Sequence, residues 1–85
     1  MSNTIHSKGQ EVLCQVLVEA RKAAGLSQAE LAKKLNCQQS MVARIESGQR
    51  RIDVVELIVI ARAIGAELHD LLANVEAAVP ISHHL

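Results

Sequence analysis

The stretch from Ser27 to Gly48, SQAELAKKLNCQQSMVARIESG, gathers the side chains most able to do chemistry. Ser40, Ala43, Arg44 and Ser47 fall on one side of a helical period, with Gln39 on its flank at the first turn. Glutamine pairs bidentately with adenine, arginine with guanine, and serine serves either base edge. A helix face that merely met water would more often carry Glu and Lys. Gln49-Arg50-Arg51 follows as an exposed basic turn. Beside a helix lying on a duplex, such a turn grips phosphates; otherwise it is simply solvated.

Catalysis would require a nucleophile with its base, paired carboxylates or a metal. Cys37 has no activating group near it in sequence, and Cys14 reads as a small core residue on a helix. Cys14, Cys37, His83 and His84 match no zinc spacing. The two adjacent histidines read as a solvated tail, and His69 as a surface residue. No glycine-rich phosphate loop or dinucleotide fingerprint is present. The sequence therefore predicts no enzyme, no metal and no cofactor.

The elements that position the central stretch have clear punctuation. Ser27 and Glu30 form a capping box that starts a helix with Leu31, Ala32 and Leu35 on its apolar face. Asn36 tolerates the left-handed conformation that ends a helix. The next helix carries Val42 and Ile45 inward, and Gly48 stops it. Upstream, a helix is expected over Gln10–Ala24, with Leu13, Val16, Leu17, Ala20 and Ala24 as its inner stripe and Gly25 as its stop. Arg21 lies near its C-terminus, where a cation is favoured. Residues 1–9 read as a flexible arm, either plainly disordered or with Lys8 touching a phosphate or the arm entering a groove.

Downstream, Asp53 and Glu56 repeat the cap logic and open a fourth helix. Val54, Leu57, Ile60, Ala61 and Ile64 are expected to face the core, and Gly65 ends the helix. A fifth helix, about residues 67–74, would bury Leu68, Leu71 and Leu72. Val55, Ile58 and Val59 lie on the far side of the fourth helix, which is more apolar than one buried face requires. A second copy of the chain would cover them, or the tail of residues 75–81, and the two are compatible. The expected division is an arm at 1–9, a helical domain at 10–74 and a C-terminal tail at 75–85.

Composition narrows the function classes. The 85 residues make one small domain, 49% hydrophobic yet without a single aromatic residue. Its core must be aliphatic, and it lacks the stacking platform that single-stranded nucleic acid or RNA bases need. Two cysteines make no disulfide framework. No signal peptide and no run of about 18 apolar residues is present, so a cytoplasmic protein away from membranes is expected. The net charge is zero but polarised. Residues 1–51 hold eight cations against four anions, and residues 52–85 one cation against five anions. The first part thus carries +4 and the second −4, so phosphate attraction depends on which face is presented.

The segments GLSQAELAKKLN and SMVARIESGQRR resemble the helix-turn-helix of the phage repressor/Cro family, also called XRE-type. The resemblance spans roughly Val16 to Leu72 and includes Arg21, Gly25 to Gln28, Glu30 to Ala32, Ile45 to Gly48, Ile60-Ala61 and Ile64-Gly65. It implies an all-α, five-helix, lambda-repressor-like domain with its helix-turn-helix at helices 2 and 3. It implies an ion pair between Arg21 and Glu46, joining the first and third helices. It also implies a phosphate contact by Gln28, supported by a helix N-terminus. Gln38 stands where the family usually has a Ser or Thr cap, and a glutamine caps poorly, so either the turn is adjusted or Gln38 is kept for DNA, and the second is the reading taken here.

The function implied is a transcription regulator, a repressor or controller, acting as a homodimer on an inverted-repeat operator in double-stranded DNA. Gln38, Gln39, Ser40 and Arg44 would touch bases, and Gln28, Ser47, Gln49, Arg50 and Arg51 the backbone. Val55, Ile58 and Val59 would form the dimer interface. The alternative is a protein-interaction module or antitoxin, with a toxin or polymerase as its partner.

Overall fold

The computed structural model describes residues 7–85. Five helices run in order: α1 (Lys8–Ala23), α2 (Gln28–Leu35), α3 (Gln39–Ser47), α4 (Val54–Ile64) and α5 (Leu68–Ala78). The described residues contain no strand.

Local chemistry explains most boundaries. The Ser27 hydroxyl accepts from the Glu30 N–H at 3.0 Å, while the Glu30 carboxylate accepts from the Ser27 N–H at 2.8 Å. Asp53 and Glu56 make the same reciprocal pair at 2.7 and 3.1 Å. Each pair satisfies two backbone donors that a helix start leaves open. Asn36 ends α2 in the left-handed region, φ 57° and ψ 44°, and its N–H donates to carbonyls of the last turn. That conformation turns the chain sharply enough for α3 to start at Gln39.

The chain ends differ from expectation. Helix α1 starts at Lys8 rather than Gln10, because the Ser7 hydroxyl accepts from the Gln10 N–H at 3.2 Å and caps it. Lys8 and Gly9 are therefore helical; residues 1–6 of the expected arm lie outside the described residues. Gly9 is buried, and a Cβ there would stand 2.7 Å from Val79 Cγ2. Helix α5 runs on to Ala78, so the segment expected as tail from residue 75 begins as helix. Val75, in that extension, packs against the core.

The core is aliphatic. Leu13 and Leu17 of α1, Leu31 and Ala32 of α2, Val42 and Ile45 of α3, four residues of α4 and Leu71 of α5 form one buried cluster. Helix α1 packs mainly on α5 and also on α3, and α2 packs on α3 and α4. Val16, Ala20, Leu35 and Leu68, also expected inside, are partly buried against this cluster, and three further expected core positions are exposed. Ala24 is the exposed C-cap of α1. Val54 shares the phase of Leu57 but sits in the first turn, overhanging the core, and is 71% exposed. Leu72 is 40% exposed on the flank of α5, where Val75 takes the inner place one turn on from Leu71.

The C-terminal segment lies along α1. Val75, Val79, His83 and Leu85 line an open depression together with Ser7, Gly9, Gln10 and Leu13. It does not cover α4, where Val55 and Val59 remain 69% and 46% exposed. No helix among the described residues is long and apolar enough to cross a membrane.

Candidate nucleic-acid interface

Helix α3 is anchored from below. Val42 and Ile45 are buried, so the opposite face of the helix must point outward. Gln38, Gln39, Ser40, Arg44 and Ser47 are all exposed, and Ala43 is partly so. The nine residues of α3 span about 13 Å at the rise of an α-helix, short enough to lie in a major groove. Gln38 occupies the N-cap position of α3 with extended backbone and makes no side-chain cap. Its amide thus takes no part in holding the helix start. The Ser47 hydroxyl donates to the Arg44 carbonyl at 3.2 Å.

Behind this face stands a buried ion pair. Arg21 Nε donates to Glu46 Oε2 at 2.7 Å and Nη2 donates to Oε1 at 3.1 Å. The side chains are 9% and 7% exposed. Arg21 Nη1 also donates to the Leu26 carbonyl at 2.7 Å. One guanidinium thereby ties the end of α1, the α1–α2 turn and α3 together. Such fork-to-fork pairing fixes geometry as well as charge.

Gln28 and Gln39 join the same network. Gln28 Nε2 donates to Glu46 Oε1 at 2.9 Å, and Gln39 Nε2 donates to Gln28 Oε1 at 3.0 Å. The expected phosphate-contacting and base-contacting glutamines are thus linked directly. The family resemblance implied the pairing of Glu46 with Arg21 but not the bond from Gln28 to Glu46. Those two residues are 18 apart, and nothing local signals the contact.

The basic turn is less free than expected. Gln49 and Arg51 are exposed, but Arg50 is half-buried. Arg50 forks onto Glu56 at 3.1 and 2.7 Å, donates to the Arg51 carbonyl at 3.0 Å, and its backbone N–H donates to the Arg44 carbonyl at 3.1 Å. The Arg50 hydrogen bonds hold the Glu56 carboxyl below its ordinary range, and the same contact raises the guanidinium. A depressed carboxyl stabilises the fold above its unfolded value, and that contribution is lost as pH falls through the folded value. Arg50 therefore braces the turn after α3, with part of its charge already answered.

Neither cysteine is in a disulfide. Cys14 is half-buried and donates to the Ile45 carbonyl at 3.4 Å; burial raises its thiol. It helps seat α3 on α1. Cys37 lines an apolar groove with Leu35, Met41, Val55 and Val59, beside the exposed face of α4. Ile58 on that helix is half-buried. Among the described residues no group of three His, Cys, Asp or Glu is placed to hold a metal.

Comparison with known proteins agrees with this architecture. A helix-turn-helix family profile matches residues 17–71. The structure of an XRE-family like protein from Pseudomonas syringae pv. tomato str. DC3000 is 43% identical, covers 91% of this chain and 94% of its own, and superposes with a TM-score of 0.80. The clp gene regulator ClgR from C. glutamicum is 22% identical and shares the fold, with a TM-score of 0.75 over 87% of this chain and 96% of its own. No curated protein matches. With the profile spanning α2 and α3, and the same helices resting on the Arg21–Glu46 pair, this chain belongs to the XRE-type helix-turn-helix family of DNA-binding proteins.

Proposed function

We propose that the protein is a sequence-specific transcription regulator that binds an inverted repeat in double-stranded DNA as a homodimer. One observation carries this reading. Ser40, Arg44 and Ser47 are exposed on the side of α3 opposite buried Val42 and Ile45, with Gln39 exposed on its flank. In this reading α3 enters the major groove, and Gln38, Gln39, Ser40 and Arg44 meet base edges. Gln28, Ser47, Gln49 and Arg51 hold phosphates, with Arg50 in a supporting place because Glu56 already engages it. The apolar groove lined by Val55 and Val59 favours a second copy there, with Ile58, half-buried on the same helix, as a further member of the interface. The same groove supports the other reading, a protein partner such as a toxin or polymerase.

Arg44→Ala tests direct readout. In a mobility-shift series over variant duplexes it should weaken the preferred site by about 1–3 kcal/mol and relax one base position. Equal weakening of every sequence would contradict base contact by Arg44.

A further inference from the structure

We infer that His83 is a further phosphate contact, meeting the DNA backbone beside Arg51 and charged by a proton that binding takes up. The inference rests on the DNA-binding reading above and extends its backbone-holding set to the C-terminal segment.

That segment folds back onto the domain. Helix α5 continues to Ala78, and Val79 then meets α1 at Gly9, where a Cβ would stand 2.7 Å from its Cγ2. The Pro80 carbonyl accepts from the His83 N–H at 3.0 Å, which closes a β-turn. Ile81 is fully exposed in that turn, whereas His83 returns to a half-buried place. His83 therefore has a fixed neighbourhood, unlike exposed His84.

The neighbourhood includes Arg51. Both residues line the depression between α1 and the C-terminal segment, with Ser7 and Gln10 on its α1 side. Its volume is about 270 Å³, several times the ~30 Å³ of a liquid water, so a phosphate group fits. Arg51 sits on the turn that leaves α3, so a strand whose phosphates it holds passes the mouth of this depression. The Ser7 hydroxyl accepts from the Gln10 N–H and keeps its own proton to donate. Among the described residues lining the depression, none has a carboxylate side chain.

The charged groups around His83 come from four sides. Arg51 belongs to the turn after α3. On α1, Lys8 and Glu11 flank the lining residues Gly9 and Gln10, and on α5 Glu76 follows the lining residue Val75. In the tail stand His84 and the main-chain carboxylate of Leu85. A phosphate favours an imidazolium over the neutral ring. Imidazole is also the side chain that ordinarily changes charge between pH 5 and 8. DNA binding should thus draw a proton onto His83, and affinity should rise as pH falls.

Duplex affinity and its salt dependence, measured at pH 6 and pH 8, test this. The parent protein should bind about five-fold more tightly at pH 6. Its slope of log K against log salt should be steeper there by about 0.9, the value for one phosphate. His83→Gln should remove both differences, whereas His6→Gln, His69→Gln and His84→Gln should keep them. His83→Arg, charged at both pH values, should bind more tightly at pH 8 than the parent does at that pH. In the complex, the His83 imidazole signals should titrate at higher pH than in the free protein. A His83→Gln protein that keeps the parent's pH difference would overturn the inference, as would a His83 titration that DNA leaves unmoved. If the parent protein binds no duplex at all, the DNA-binding reading falls and this inference with it. Duplex binding that is indifferent to pH overturns this inference alone.

Discussion

Arg21 is a charged side chain only 9% exposed, and that choice constrains its whole neighbourhood. Burying a charge is costly unless it is paired and its remaining donors are satisfied. Glu46 and the Leu26 carbonyl meet that need here. Glu46→Ala should therefore destabilise the protein by roughly 3–5 kcal/mol in denaturant unfolding, because it strands the guanidinium. The double replacement Arg21→Met with Glu46→Leu should cost far less, since an apolar pair of similar volume carries no desolvation penalty. Equal losses in the two variants would contradict this account. Arg51 belongs to the same scale but a different role. Arg51→Ala should lower the slope of log K against log salt by about 1 and leave the preferred sequence unchanged.

At the scale of elements, the helix starts differ in quality. Helices α2 and α4 begin with full capping boxes, whereas α3 begins at Gln38 with no side-chain cap. Gln38→Ser should supply the missing acceptor and raise stability by about 0.5–1 kcal/mol, read from the unfolding midpoint. No gain would mean that the α3 start is already satisfied by solvent or by the turn. The starts of α2 and α4 and the stops at Asn36, Gly48 and Gly65 were legible in the sequence, because caps and left-handed residues act within four positions, whereas the Ser7 cap of α1 and the end of α5 were not read. The buried faces were mostly legible too, since Leu13 and Leu17, or Leu57, Ile60, Ala61 and Ile64, keep helical phase. Phase alone misplaced Val54 and Leu72. It says which way a residue points, but not whether another helix lies there to meet it.

At the scale of the whole molecule, what the sequence hid is the meeting of its two ends. Gly9 looked like part of an arm, yet it lets Val79 approach α1 closely. Such a contact joins residues 70 apart, and no local pattern encodes it. The C-terminal segment is thereby drawn to α1 and away from α4. That leaves Val55 and Val59 exposed beside an apolar groove and removes the tail as their cover. Val55→Lys with Val59→Lys should shift the protein from dimer to monomer in sedimentation, with its helical circular dichroism unchanged. Such a monomer should also bind an inverted repeat more weakly than the parent. Sedimentation that does not respond would place the interface elsewhere.

The central claim is that α3 reads a duplex and that two copies do so together. Selection of bound fragments from a pool of random double-stranded DNA tests it most directly. The account predicts an enriched inverted repeat whose half-site centres lie about 10–10.5 base pairs apart, or a multiple of that. Within each half-site, Gln39→Met should erase a preference for adenine and Arg44→Ala a preference for guanine. A pool that emerges without any enriched sequence would contradict it.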